Sequence, residues 1–312
     1  MAKIIIGIHG LANKPRKPEL EEWWKTSLAE GLKENCKIRD PQFTFKMVYW
    51  ANLLYKNQQH TDENFEFDQL YNRQPYVKAK KDALKEYKEG LFEKIRAGAF
   101  DKIGDALDTL KHKFEIDQIA DWILSKVMKD LAFYYDDKRM ILNRIGKKQL
   151  ARTVLRDELK KIVTKSKTKE IMLIAHSMGS IIANDSLRDL GNPDDPSYVQ
   201  DLKVQHFITI GSPLGLPHVK GKIVKERGYD PDVRTPSIVT QSWINYADKD
   251  DRVALDIHLR DDYGENKHGV RVEDNAVAND YVDIDGKANA HKSYGYLRTP
   301  ELSKQVREFL EL

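Results

Sequence analysis

The run IMLIAHSMGS, Ile171 to Ser180, leads five apolar residues into a histidine, a serine and a methionine. It reads as a buried strand that stops at His176, turns on Ser177 and restarts as a helix, delivering one hydroxyl to a surface. A serine hydroxyl is a poor nucleophile at neutral pH. It needs an imidazole to take its proton and a carboxylate to fix the tautomer of that imidazole and stabilise its cation. The chain offers such groups at other expected loops. His9-Gly10 ends the first apolar run, YADKDDRVALD carries Asp248, Asp250, Asp251 and Asp256, and His291 lies just before the last helical pattern. Together they would perform acyl transfer. His176, beside the serine, reads as a packing and hydrogen-bonding residue rather than a second base, and Ser212 receives no chemical role.

The elements that must position these groups follow from periodicity. KIIIGIH (Lys3 to His9) is β-branched without helical spacing and reads as a strand buried on both faces. Glu19 to Leu32 places Leu20, Trp23, Trp24, Leu28 and Leu32 on one helical face. Phe43 to Ala51 reads as a second strand, followed in the core by a helix from about Lys147 to Lys165, a strand at Ile171 to Ala175 and a helix from Met178 to about Leu190. Strands at Val204 to Pro213 and Gln241 to Asp248 precede a closing helix, Pro300 to Leu310. Strands separated by helices require crossover connections, which give a parallel sheet covered on both faces. In such a sheet reactive groups collect beyond the carboxyl ends of the strands.

Residues 51–146 break this alternation. They are long, charged and largely helical in pattern, with apolar stripes at Phe100, Ile103, Leu107, Leu110 and Phe114 and at Ile119, Ile123, Val127 and Leu131. Too long for a connecting loop, the segment reads as an inserted helical cap. The expected division is a core of residues 1–50 and 147–312 around a cap of residues 51–146.

The ordered residues resemble the α/β-hydrolase family. AHSMGS looks like its nucleophile elbow, G-x-S-x-G in its common form, with Ala175 in place of the first glycine. The resemblance covers residues 1–50 and about 147–312, and it implies an α/β-hydrolase fold with Ser177, an acid and a histidine in that chain order. It implies His291 as base, in a loop similar to the one that precedes the family's terminal helix. The family register favours Asp251 as acid over Asp248 and Asp250. It also implies an oxyanion hole from the amides of Met178, after the nucleophile, and Leu11, after the first strand. The expected activity is that of a lipase- or carboxylesterase-like serine hydrolase. Thioesterase, amidase and acyltransferase activities on the same triad remain open, as does a binding protein that keeps the fold without turnover.

Composition sets the remaining expectations. The 52 basic and 49 acidic residues leave a formal charge of +3, too balanced to create a polyanion-binding field, so no nucleic-acid partner is expected. Lysines and tyrosines interleaved from Tyr76 to Tyr87 read as a solvated helix face. The lone Cys36 fits a reducing compartment. No apolar run reaches the roughly 20 residues that span a bilayer, and no leader precedes the first strand, so a soluble, cytoplasmic protein is expected. No Walker-type or dinucleotide glycine loop and no metal-ligand spacing is present, so no cofactor or metal is expected. The expected partner is a small-molecule or lipid ester; the sequence sets no oligomeric state.

Overall fold

The computed structural model describes residues 1–10, 13–55, 76–79, 129, 131–227, 233–254, 257–282 and 288–312, with the side chains of 226 and 227 left aside. Six strands, β1 (Lys3–Ile8), β2 (Phe45–Val48), β5 (Glu170–His176), β6 (Val204–Ile210), β7 (Val239–Asp248) and β8 (Val272–Val277), form one sheet. Its order is β2-β1-β5-β6-β7-β8 and every pairing is parallel. A separate antiparallel hairpin joins β3 (Met140–Leu142) to β4 (Lys148–Leu150). Among the described residues the helices are α1 (Lys17–Cys36), α2 (Ala51–Leu54), α3 (Ala151–Lys165), α4 (Met178–Gly191), α5 (Pro217–Arg227), α6 (Leu259–Asp262), α7 (Ser293–Leu297) and α8 (Pro300–Leu310).

The alternation of β1 explains the two layers. Ile4, Ile6 and Ile8 point into a core shared with Leu155, Leu159 and Val163 of α3 and Ile181 and Ile182 of α4. Ile5 points the other way, toward Leu20, Trp24 and Leu28 of α1 and Leu302 and Val306 of α8. Both faces of the sheet are therefore dry, as parallel pairing through helical crossovers requires. The first layer is tied by a buried polar contact. Arg156 of α3 meets Asp185 of α4 at 2.7 Å, and the Tyr134 hydroxyl donates to the same carboxylate at 2.7 Å. Removing one partner would strand a buried charge, so the contact fixes how α3 lies on α4.

The structure departs from the sequence expectation at several elements. The helix expected from about Lys147 begins at Ala151, because Lys148–Leu150 pairs with Met140–Leu142 and Leu150 falls on the helical stripe as readily as on the strand. β8 has no counterpart in the sequence reading: only Val272 and Val277 of VEDNAV are buried, an edge strand without alternation. The second strand is shorter than expected, running only from Phe45 to Val48, because the chain turns at Trp50 to start α2 at Ala51. Most of the expected cap over residues 51–146 lies outside the described residues.

Candidate active site

Ser177 stands between the end of β5 and the start of α4 with φ 53° and ψ −131°. This is the strained left-handed side of the map for a residue with a Cβ, a cost of about 1–3 kcal/mol that the surroundings must impose. The Ser177 amide donates to the Ile210 carbonyl of β6 (3.1 Å), and the Ser177 carbonyl accepts from the amide (2.8 Å) and hydroxyl (2.6 Å) of Ser180. Tight neighbours do the rest. A Cβ on Gly179 would lie 2.6 Å from the His9 carbonyl oxygen, and one on Gly10 would lie 2.6 Å from the Ser177 Cβ. The end of β1 and the start of α4 thus close on the serine from two sides.

The Ser177 hydroxyl donates to His291 Nε2 at 3.0 Å, and His291 Nδ1 donates to Asp251, 2.9 Å from each carboxylate oxygen. A carboxylate only accepts, so this contact puts the imidazole proton on Nδ1 and leaves Nε2 free to receive the hydroxyl proton. The three side chains come from the end of β5, the loop after β7 and the loop before α7. Ser177 and Asp251 are buried and His291 is 7% exposed.

Asp251 is itself fixed. Its Oδ1 accepts the Val253 amide at 2.9 Å and its Oδ2 accepts the Tyr296 hydroxyl at 2.8 Å. Tyr296 accepts in turn from the Asp248 amide at 2.9 Å, and burial holds its phenol well above the usual range, so it stays a donor. The other candidate acids stand elsewhere. Asp248 accepts the amides of Asn279 (2.5 Å) and Asp250 (2.8 Å), and burial pushes its carboxyl up to about 6. Asp250 faces Lys249 with its side chain largely in solvent, and Asp256 lies outside the described residues.

His291 is held through its backbone as well. Asn279 donates from Nδ2 to the carbonyls of Ala290 (2.7 Å) and Lys292 (2.8 Å), one on each side of the histidine. His176 Nε2 donates to the His291 carbonyl at 2.8 Å, and burial lowers the His176 pKa well below the ordinary histidine value. Gly211, φ 53°, passes beneath the pair. A Cβ there would meet Asp251 Oδ2 at 2.7 Å and His291 Nδ1 at 3.2 Å. His9 stacks on Trp50 (4.6 Å) and accepts the Trp50 amide through Nε2 (3.2 Å). Its role is to fasten the end of β1 to the start of α2.

Tyr296 and Asn279 went unnoticed in the sequence. Tyr296 sits five residues after His291 in HKSYGYL, inside the short helix α7 that had no counterpart in the sequence reading, and Asn279 follows a strand that was itself unrecognised. Of the expected oxyanion donors, Met178 is the first residue of α4, whose positive end favours negative charge. Leu11 lies outside the described residues.

Comparison with known proteins agrees with this architecture. Residues 140–252, about a third of the chain, match the family described as "Alpha/beta hydrolase of unknown function (DUF900)", a stretch that includes Ser177 and Asp251. No curated protein matches the chain. A solved structure described as "Putative hydrolase from Agrobacterium vitis S4" is similar at 12% identity, covering 59% of this chain and 80% of that one, with a TM-score of 0.28, too low to carry weight. Among the described residues no helix is long and apolar enough to cross a membrane. The six-stranded parallel sheet is consistent with an α/β-hydrolase fold, and residues 140–252 match a family of that superfamily.

Proposed function

We propose that the protein is a serine hydrolase of carboxylic esters, lipase- or carboxylesterase-like, working through an acyl-enzyme on Ser177. The observation that carries this reading is the unbroken relay from the Ser177 hydroxyl to His291 (3.0 Å) and on to Asp251 (2.9 Å). His291 takes the hydroxyl proton as the oxygen attacks the ester carbonyl, and Asp251 stabilises the imidazolium without itself being protonated. The tetrahedral oxyanion develops beside the α4 N-terminus, where the Met178 amide and, by the same reading, the Leu11 amide donate to it. His291 then returns the proton to the departing alkoxide, and water activated by the same ring cleaves the acyl-enzyme.

Ser177 has no exposed surface, so a substrate reaches it only through a local opening. Residues 51–146 would supply the acyl pocket, since an apolar cleft is where an ester is desolvated. The test is turnover of p-nitrophenyl esters and acyl thioesters of graded chain length by the wild type and Ser177→Ala. The reading expects chain-length-dependent turnover that falls by at least about a thousandfold in the variant. Equal turnover by the two proteins would overturn it.

A further inference from the structure

The β3–β4 hairpin concentrates features the hydrolase site does not use. Among the described residues six large apolar side chains are exposed. Met1 and Leu312 are chain ends and Tyr198 stands alone, but Met140, Leu142 and Ile145 share this one hairpin. Isolated exposed apolar residues are ordinary; three within six positions, on a protruding turn, are not.

The turn is built to hold them out. Asn143 Oδ1 accepts the amides of Ile145 and Lys147 (3.0 Å each), the Asn143 amide donates to the Lys147 carbonyl (2.9 Å), and Gly146 takes the left-handed position at φ 77°. Ile145, 86% exposed, sits at the apex of this rigid turn. Met140 and Leu142 alternate onto one face of β3, and Lys148 stands directly opposite Leu142 on that face.

Charge surrounds the apolar tip. Residues 138–148 contain Lys138, Arg139, Arg144, Lys147 and Lys148 and no acid. Arg144 is committed to Glu158 (2.6 Å) and to the Tyr49 carbonyl (2.9 Å). The other four are exposed and form no ion pair among the described residues. An apolar apex with Lys147 and Lys148 beside it, and Lys138 and Arg139 at the base of the same hairpin, matches a bilayer interface, where apolar groups sink below the headgroups and lysine and arginine meet the phosphates. A nucleic acid would leave Ile145 in water, and a stable protein partner needs roughly 800 Å² from each side, more than a lone hairpin tip offers.

Its position gives the surface a purpose. The Arg144 bond to Tyr49, just past the end of β2, ties the hairpin to the carboxyl edge of the sheet. β2 lies two strands from β5, roughly 10 Å across the sheet from the strand that carries Ser177. We propose that the β3–β4 hairpin docks the protein on an anionic lipid surface, with Ile145, Leu142 and Met140 inserted and the carboxyl edge of the sheet turned toward the membrane. That the docked edge then receives a lipid ester rests on the hydrolase reading; the docking itself does not.

The experiment is co-sedimentation with phosphatidylcholine vesicles, with and without phosphatidylserine, for the full chain and two variants at exposed positions, Ile145→Asp and the double change Lys147→Glu with Lys148→Glu. Wild type should partition at least about tenfold more strongly onto the phosphatidylserine vesicles, and each variant should lose about that factor. Near-ultraviolet circular dichroism checks that the variants remain folded. Absence of wild-type binding, or equal binding by Ile145→Asp, overturns the proposal. Loss on charge reversal alone overturns it as well and points to an acidic macromolecule instead. Ser177→Ala should sediment as wild type does, so failed docking and failed hydrolysis register separately.

Discussion

Asp251 has to remain an acceptor while the imidazole beside it changes charge, and three donors hold it so: the Val253 amide, the Tyr296 hydroxyl and His291 Nδ1. Asp251→Asn keeps the shape but presents an amide that stabilises the wrong tautomer of His291. Ester turnover should fall by about 10⁴ in kcat with the fold intact, as steady-state kinetics would show. Gly211→Ala tests the floor of the site: its Cβ would press on Asp251 and His291 from 2.7 and 3.2 Å at a backbone position that resists a side chain. A loss of about a hundredfold in kcat/KM is expected, since misplacement by about an ångström costs that much; unchanged kinetics would contradict the positions given to both residues. Ser177 and His291 stood out in the sequence by type and order, whereas Asp251 was favoured over Asp248 and Asp250 only by the family resemblance. Tyr296 and Asn279 did not stand out, because each acts through contacts that only the closed loops create.

At the scale of elements, the turn from β5 into α4 is set by what cannot be inserted. Gly179→Ala would place a methyl 2.6 Å from the His9 carbonyl and 2.8 Å from the Ile8 carbonyl, the backbone at the end of β1. Helix α4 must then shift, at about 1–3 kcal/mol of stability, measurable by urea unfolding, and Ser177 moves with it. The central elements were readable for a physical reason. β5 is buried along nearly its whole length, and α8 announces itself with Thr299 capping the Leu302 amide, Pro300 in its first turn and an apolar stripe. β8 and the β3–β4 hairpin were hidden because each packs on too few neighbours for an alternating pattern to be required.

Across the whole molecule, the dry interior that makes the site possible also makes it sensitive to acid. His9 is enclosed beside Trp50, and burial, aided by the charge of Lys14, lowers its pKa to about 3. The unfolded chain takes up a proton near pH 6.5, the folded chain only near 3, so this group's contribution to stability is complete above pH 6.5 and is lost as pH falls toward 3. Asp248, raised to about 6, acts in the opposite sense between about pH 4 and 6, so the effect is best isolated by difference. His9→Gln retains an acceptor and a donor but cannot titrate. Between pH 7 and pH 5 the wild type should lose about 2 kcal/mol more unfolding free energy than this variant. All of these forces converge on one oxygen. The most direct test of the account is labelling of the intact protein with a fluorophosphonate, followed by peptide mass spectrometry. One adduct per chain on Ser177, absent from Ser177→Ala and strongly slowed in His291→Ala, is the predicted result; no adduct, or an adduct that persists in Ser177→Ala, would contradict it.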